Sequence, residues 1–499
     1  MTWSSLWQWR RKLAAMAAVA LVLPWLHACT TNPATGESEF TPLMSPEDEV
    51  RIGAQEHKKI LAQFGGTYKD KKIQQYVDRL GQKLAAASEL PQLKWTFTVL
   101  DSDIINAFAL PGGYVYISRG LLGLADSEDQ LAGVVGHEIG HVTARHAANR
   151  YNAAVGAQIG VIGAAILTDI LLGGGGQAIA QTGGAAAQGY LAGYGRGQEL
   201  QSDALGVRYL DRTGYDTLAM AGFLDKMGQE SNLLAKLLNQ APRGFSYLDT
   251  HPPTGERVRK ATELANETPG RGAAGPPKDF YNQISGLIYG DSPAQGFRRG
   301  RNFVHPGLRL AFKVPPNFHM LNFPDKVLAR GPDGTQIVFD GAPKKYSGNA
   351  AQYLTSQWAP KLNLQNVQRL RVNGLDAATA YKTLKGSRGS VGLRLGVIRW
   401  ADGRMFRFQF TVPPNKASQY DPGFQDTLRS LRKISSREAG RYKPLRIRPY
   451  RVRRGDTVAR LASRLPFSKL AEERFRVLNG LVDGEQVKAG QWVKMVSTR

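Results

Sequence analysis

The alternation of apolar and polar positions divides the chain into stretches of different character. From Ser45 onward the period is mostly helical: "SPEDEVRIGAQEHKKILAQF" has Ser45 as an N-cap and Pro46 at the first helical position. "DKKIQQYVDRLGQKLAAAS" continues that pattern, and "LKWTFTVLDS" alternates residue by residue like a strand. "NAFALPGGYVYISRGLLGLA" predicts strand, Pro-Gly-Gly turn, strand and helix start. "SEDQLAGVVGHEIGHVTARHAANR", opened by Ser127, predicts one helix as far as Arg150. "GRGQELQSDALGVRYLDRTG" predicts another, stopped at Gly214, and helical pattern runs on to Asn266. Between these two helices, Ala153 to Gly197 is rich in Ala and Gly. Gln158, Asp169 and the glycines interrupt its apolar run, so it reads as a helical hairpin or lid rather than a membrane span.

Breaker residues in "ETPGRGAAGPPKD" then open a linker, residues 267–296. Residues 297–436 mix strand and hairpin segments, such as "VGLRLGVIRWADGRMFRFQFTV", with helices such as "YDPGFQDTLRSLRKIS". A basic linker, 437–448, leads to a last segment, 449–499, with the order strand, helix, helix, strand. The fold class expected is α+β and multidomain: a mainly helical domain with a small sheet at 45–266, an α+β domain at 297–436, and a small βααβ module. The 499 residues agree, being too many for one ordinary domain.

Charge adds a constraint. A formal net charge of +24 predicts attraction to polyanions such as anionic lipid, lipopolysaccharide, wall polymer or nucleic acid. The N-terminus narrows that choice. Arg10, Arg11 and Lys12 precede an apolar run from Leu13 to Leu26, the layout of an export signal and too short for a membrane span. The run ends at Cys29, the only cysteine in the chain. Residues 1–28 with Cys29 resemble a bacterial lipoprotein signal, which implies lipidation of Cys29, a membrane anchor, and a tether over residues 29–44. Thr30 after the cysteine, by the same resemblance, implies sorting to the outer membrane of the periplasm. Export leaves no expected nucleic-acid partner.

The chemistry lies in "HEIGH". On a helix, residues four apart share a face, so His137 and His141 can ligate one metal. Glu138, one step round, reaches a zinc-activated water rather than the ion, as a general base. Two side chains do not complete a catalytic zinc site. Glu199 and Asp203, again four apart, offer a third ligand and a partner for the outer nitrogen of a ligating histidine. His146 is the rival third ligand. On a continuing helix it would face away from the metal, so it is assigned a supporting place behind the ligands.

Four motifs in order now resemble the minigluzincin metallopeptidases, the group of the CAAX prenyl protease and the BepA-type peptidases. They are Asn106 to Gly113, HEIGH with its trailing VTARH, the Glu199-to-Asp203 spacing, and "DTHPPTGER" at 249–257. The resemblance implies one zinc per chain on His137, His141 and Glu199, with Glu138 as base. It implies that the strand around Asn106, Ala107 and Phe108, with Gly112 and Gly113 at its turn, takes unfolded or misassembled envelope proteins as an added strand. It also places His251 near the zinc. There His251 either stabilises an oxyanion or acts as a fourth ligand that holds the enzyme inactive.

The last segment resembles a LysM module through Tyr450, Val452, Gly455, Asp456, Thr457, Leu461, Ala462, Leu478-Asn479-Gly480 and Gly490-Gln491. That implies binding to the glycan of peptidoglycan. Residues 297–436 loosely resemble, in outline, the small sheet-and-helix domain of photosystem-associated and import-factor proteins, and no role follows. Two other readings remain: a non-proteolytic wall-binding adaptor, and a zinc peptidoglycan hydrolase.

Overall fold

The computed structural model describes residues 29–41, 44–153, 194–238, 251, 255–268, 277–364, 366–386 and 389–498. The signal segment, nearly all of the Ala- and Gly-rich stretch, and the two prolines after His251 lie outside these residues.

In the expected tether, residues 29–41 hold a hairpin. Strands β1 (Cys29–Thr31) and β2 (Ser38–Phe40) pair antiparallel across a turn. Asn32 builds that turn, its side-chain oxygen accepting from the Ala34 amide at 2.9 Å. Its amide donates to Ala144 O, 3.2 Å away, so the hairpin is seated on the rest of the molecule. The Asn-Pro-Ala-Thr-Gly composition that suggested a linker is turn chemistry instead.

Helix α1 (Pro46–Gln63) starts at a capping box between Ser45 and Asp48, and α2 (Lys71–Ala86) is capped by Asp70. A three-stranded sheet follows in the order β3-β5-β4, from β3 (Thr96–Leu100), β4 (Ala107–Leu110) and β5 (Tyr114–Ser118). β3 runs parallel to β5, β4 runs antiparallel to it, and β4 is an edge. The Pro-Gly-Gly turn appears as read. Gly112 has φ +79°, and a Cβ there would lie 2.7 Å from the Val50 backbone of α1.

Helix α3 (Arg119–Leu124) leads to α4 (Glu128–Thr143), capped by Ser127 and buried along nearly its whole length. Three glycines let α5 (Arg196–Thr213) lie close against α4. A Cβ on Gly136 would sit 3.3 Å from Gly206 Cα, and one on Gly140 3.1 Å from Leu205 Cβ and 3.2 Å from Ser202 O. Helices α6 (Ala219–Leu238) and α7 (Gly255–Glu267) pack on this pair.

The helix expected to run to Arg150 is broken. It ends at Ala144, Arg145 takes φ +50°, and residues 146–153 are helical again. The cause is non-local. Arg145 Nε donates to Glu49 at 2.7 Å and its Nη2 to Met44 O at 2.9 Å, both just before or within α1. A buried guanidinium with those partners outweighs one left-handed residue.

Part of the expected linker 267–296 is also built in. It holds α8 (Pro277–Gln283) and β6 (Ile288–Tyr289). Arg119 donates from Nη1 to Ile288 O at 3.1 Å and Gly290 O at 2.6 Å. The middle region contains a seven-stranded antiparallel sheet between His319 and Val412 and a four-stranded sheet whose strands lie at 297–313 and 432–433. Phe312, Phe339, Phe408, Phe410 and Phe424 dominate its core.

The last segment has the expected order: a strand Leu445–Arg451, helices Val458–Ala462 and Ala471–Leu478, and a strand Trp492–Ser497. Its first strand reaches back into the expected basic linker and pairs with both Trp492–Ser497 and β6. Ile447 and Val477 join the core of the helical region. Lys494, fully buried, donates to the carbonyls of Gly123, Leu124 and Ala125 at 2.7–3.0 Å. Among the described residues no helix is long and apolar enough to cross a membrane.

Candidate metal centre

α4 presents His137 and His141 on the face turned to α5, and α5 presents Glu199 and Asp203 back to it. His141 Nε2 lies 3.0 Å from His137 Nε2. Glu199 is 3.6 Å from His137 Nε2 through Oε2 and 3.5 Å from His141 Nε2 through Oε1. His251 completes the group: its Nδ1 is 2.8 Å from Glu199 Oε1 and 3.3 Å from His137 Nε2. The four donor atoms lie within 4.8 Å of one another, and all four residues are buried.

These spacings suit a small tetrahedral ion. Zn–N bonds of ~2.0–2.1 Å hold neighbouring donors about 3.3 Å apart. The outer nitrogens of both α4 histidines are engaged elsewhere. His137 Nδ1 is 2.9 Å from Asp203 Oδ1, and His141 Nδ1 is 2.8 Å from His146 Nδ1. Neutral rings donating outward through Nδ1 leave the Nε2 lone pairs converging at 3.0 Å, a repulsive arrangement that a cation relieves.

Glu138 is fully buried, and neither of its carboxylate oxygens has a hydrogen-bond partner among the described residues. Its nearest ionic neighbour is His251 Nε2, 3.7 Å from Oε1. Burial is the main force on this carboxyl and pushes it up to about 8. Glu199 behaves oppositely. Burial works against its charge, but His251, His141 and His137 together hold the carboxyl well below its usual range. Asp203 is likewise held down against burial by Arg257 and His137.

Arg257, buried on α7, serves both acids. It donates from Nε and Nη2 to the two oxygens of Asp203, each at 2.7 Å, and its Nη1 is 2.8 Å from Glu199 Oε2. Its role was not read from the sequence, although it lies in the same "DTHPPTGER" run as His251. Two buried acids on one helix call for a cation, and that was the available signal. Tyr194 was also missed. Its ring stacks on His141 with centroids 3.7 Å apart, and Arg150 lies 3.7 Å from the ring's centre. It precedes α5 by two residues, in a stretch with no periodic signal.

Among the residues read as substrate-binding, Asn106 is buried, with its side-chain oxygen unpartnered among the described residues. Ala107 and Phe108 lie on the edge strand β4. Gly112 and Gly113 stand in the turn, packed on α1 and on residues 93–94. Cys29 begins β1.

Comparison with known proteins agrees with this centre. Residues 71–265 match peptidase family M48. The beta-barrel assembly-enhancing protease of Yersinia pestis is 34% identical over 209 residues, 40% of this chain and 40% of that protein. The protein of the same name in Escherichia coli (strain K12) is 30% identical over 266 residues, 51% of each chain. The chain thus spans about half of the length of these relatives, or less. A solved structure, the cyanobacterial PsbP (CyanoP) of Synechocystis sp. PCC 6803, is 12% identical and covers 28% of this chain and 98% of its own, at a TM-score of 0.23. Over residues 71–265, where His137, His141 and Glu199 are drawn together in the core, the chain is similar to the metallopeptidases of family M48.

Proposed function

We propose that the chain is a zinc endopeptidase of the bacterial cell envelope that degrades misfolded or misassembled periplasmic and outer-membrane proteins. The observation that carries this reading is Glu138: a fully buried carboxylate without a hydrogen-bond partner among the described residues, beside a ready set of metal donors. Such a group is costly in a fold and useful in a reaction.

His137, His141 and Glu199 would hold a zinc ion, which would supply polarisation of the scissile carbonyl and acidification of water. Glu138 takes the proton of the attacking water and returns it to the leaving amine. Asp203 accepts from His137 Nδ1 and keeps that ring's other nitrogen turned inward. The substrate adds as a strand along the edge of β4 that is unpaired among the described residues, where pairing reads backbone more than side chains, and Asn106 supplies, at the start of that edge, an acceptor without a partner among those residues. Of the two roles open to His251, the position of Nδ1 within the donor group favours the fourth ligand that holds the enzyme latent.

Several parts of the reading rest on resemblance and position. They are the lipid anchor on Cys29, the outer-membrane location and the binding of peptidoglycan glycan by the LysM-like segment. The relatives' name, beta-barrel assembly-enhancing protease, supports outer-membrane proteins as substrates.

The test measures zinc content and casein cleavage for the mature chain, Glu138→Gln and His251→Ala. Zinc in all three is expected, with no cleavage by Glu138→Gln and faster cleavage by His251→Ala than by the parent. A well-folded parent without zinc would overturn the reading in favour of a wall-binding adaptor. Release of fragments from purified sacculi, with casein left intact, would make it a peptidoglycan hydrolase.

A further inference from the structure

The two metal-facing histidines on α4 are backed by different chemistry. Behind His137 stands a carboxylate, Asp203, clamped by Arg257. Behind His141 stands another histidine, His146, 1% exposed. On a continuous helix a residue five positions on lies about 140° round the axis and could not reach back. The break at Ala144 and Arg145 is what returns His146 onto the outer nitrogen of His141.

Proton positions follow from the distances. The metal side of His141 is Nε2, which faces His137 Nε2 at 3.0 Å and Glu199 Oε1 at 3.5 Å. A neutral His141 then carries its proton on Nδ1, 2.8 Å from His146 Nδ1. That nitrogen of His146 must be bare, so the proton of His146 sits on Nε2, 2.8 Å from Gln201 Oε1. An amide oxygen can only accept, so Gln201 fixes the tautomers of two rings in series. Ser202 Oγ, 3.3 Å from His146 Nδ1, is the longer contact and adds a second donor there.

We propose that His146, held by Gln201, is a positioning residue for the metal: it accepts the Nδ1 proton of His141 and so leaves Nε2 free to bind the ion. The proposal rests on the metal-site reading above and adds to it a relay from α5 through two imidazoles. The site already buries three carboxylates, Glu138, Glu199 and Asp203, and Arg257 serves two of them. A fourth acid behind His141 would add one more buried charge to the site, and a neutral imidazole avoids that cost. His141 is therefore the weaker donor of the pair, being backed by a neutral group.

The test uses the full mature chain. Zinc affinity is measured by competition with a chromophoric chelator, and the cobalt-substituted protein is examined by visible absorption. His146→Phe keeps a ring but removes the acceptor, and should weaken zinc binding about 10–100-fold and alter the cobalt spectrum. His146→Asn puts Oδ1 where Nδ1 was and should recover most of the affinity. Gln201→Met, at a partly exposed site, should shift both readouts in the same direction as His146→Phe but less. Unchanged affinity and spectrum in His146→Phe, with zinc bound tightly by the parent, would overturn the relay alone. Equal losses in His146→Phe and His146→Asn would also overturn it, in favour of simple packing. A parent that binds no zinc would remove the metal reading and the relay together.

Discussion

At the scale of single residues, Glu138 stands out as a fully buried acid with no hydrogen-bond partner among the described residues. Its carboxyl is pushed up to about 8 by burial, against an ordinary value of 4.5. In the chelated protein the folded state therefore holds a proton that the unfolded chain releases near 4.5. Folded stability is then full below that pH and is lost as pH rises through about 8. Denaturant titrations of the metal-free protein from pH 5 to 9 should show that decline, and Glu138→Gln should flatten it. A parent and variant with the same pH slope would mean the carboxyl is not perturbed.

The same scale shows what a sequence displays and what it hides. His137, Glu138 and His141 are legible because their spacing is a property of one helix. Glu199 and Asp203 are legible for the same reason on the next one. Arg257 is not, because its function depends on α7 crossing α5, and nothing within α7 alone marks it. His146 was placed behind the ligands on the assumption of a continuous helix. It does lie behind His141, through a break whose cause is Arg145 reaching Glu49 and Met44 about a hundred residues earlier.

At the scale of elements, the close approach of α4 and α5 sets the metal geometry. The glycines in and around HEIGH have no ligand role, and they decide how near Glu199 comes to the histidines. A methyl group at Gly140 would lie 3.1–3.3 Å from Leu205 Cβ and the Ser202 backbone, so the helices must part by a few tenths of an ångström. Gly140→Ala should lower zinc affinity several-fold although Ala is the better helix former. Gly228, in α6 with nothing within 4 Å of a Cβ, is the control. Gly228→Ala should stabilise by roughly 0.5–1 kcal/mol and leave zinc affinity alone. Equal zinc affinity in Gly140→Ala and the parent would show that helix spacing does not control the site. The Pro-Gly-Gly turn and its flanking strands were readable because turn chemistry and alternation are local. β6, only two residues long, offers no period to read and falls within the expected linker.

At the scale of the whole molecule, the expected string of domains gives way to an interlocked arrangement. β6 completes the sheet of the last segment, Arg119 ties β6 to the start of α3, and Ile447 and Val477 lie in the helical region's core. Asp126, just ahead of the N-cap of α4, pairs with both Lys226 and Lys494. Lys226 also donates to Leu478 O at 3.1 Å. Lys494→Met leaves three helix-end carbonyls and part of the Asp126 charge uncompensated, a cost of roughly 1–3 kcal/mol. Calorimetry should show one transition shared by the helical region and the last segment in the parent, shifted down or split in Lys494→Met. Separate transitions in the parent would mean that the contact is incidental.

This clamp changes what kind of device the molecule is. A catalytic head on a loose string searches a volume set by the string's length. Here the last segment is bonded to the helical region that carries the metal cleft, so a surface that gripped the segment would also fix the cleft's height and bearing above it. An enzyme held that way would work at one stand-off distance, and which proteins it met would depend on how far they protruded.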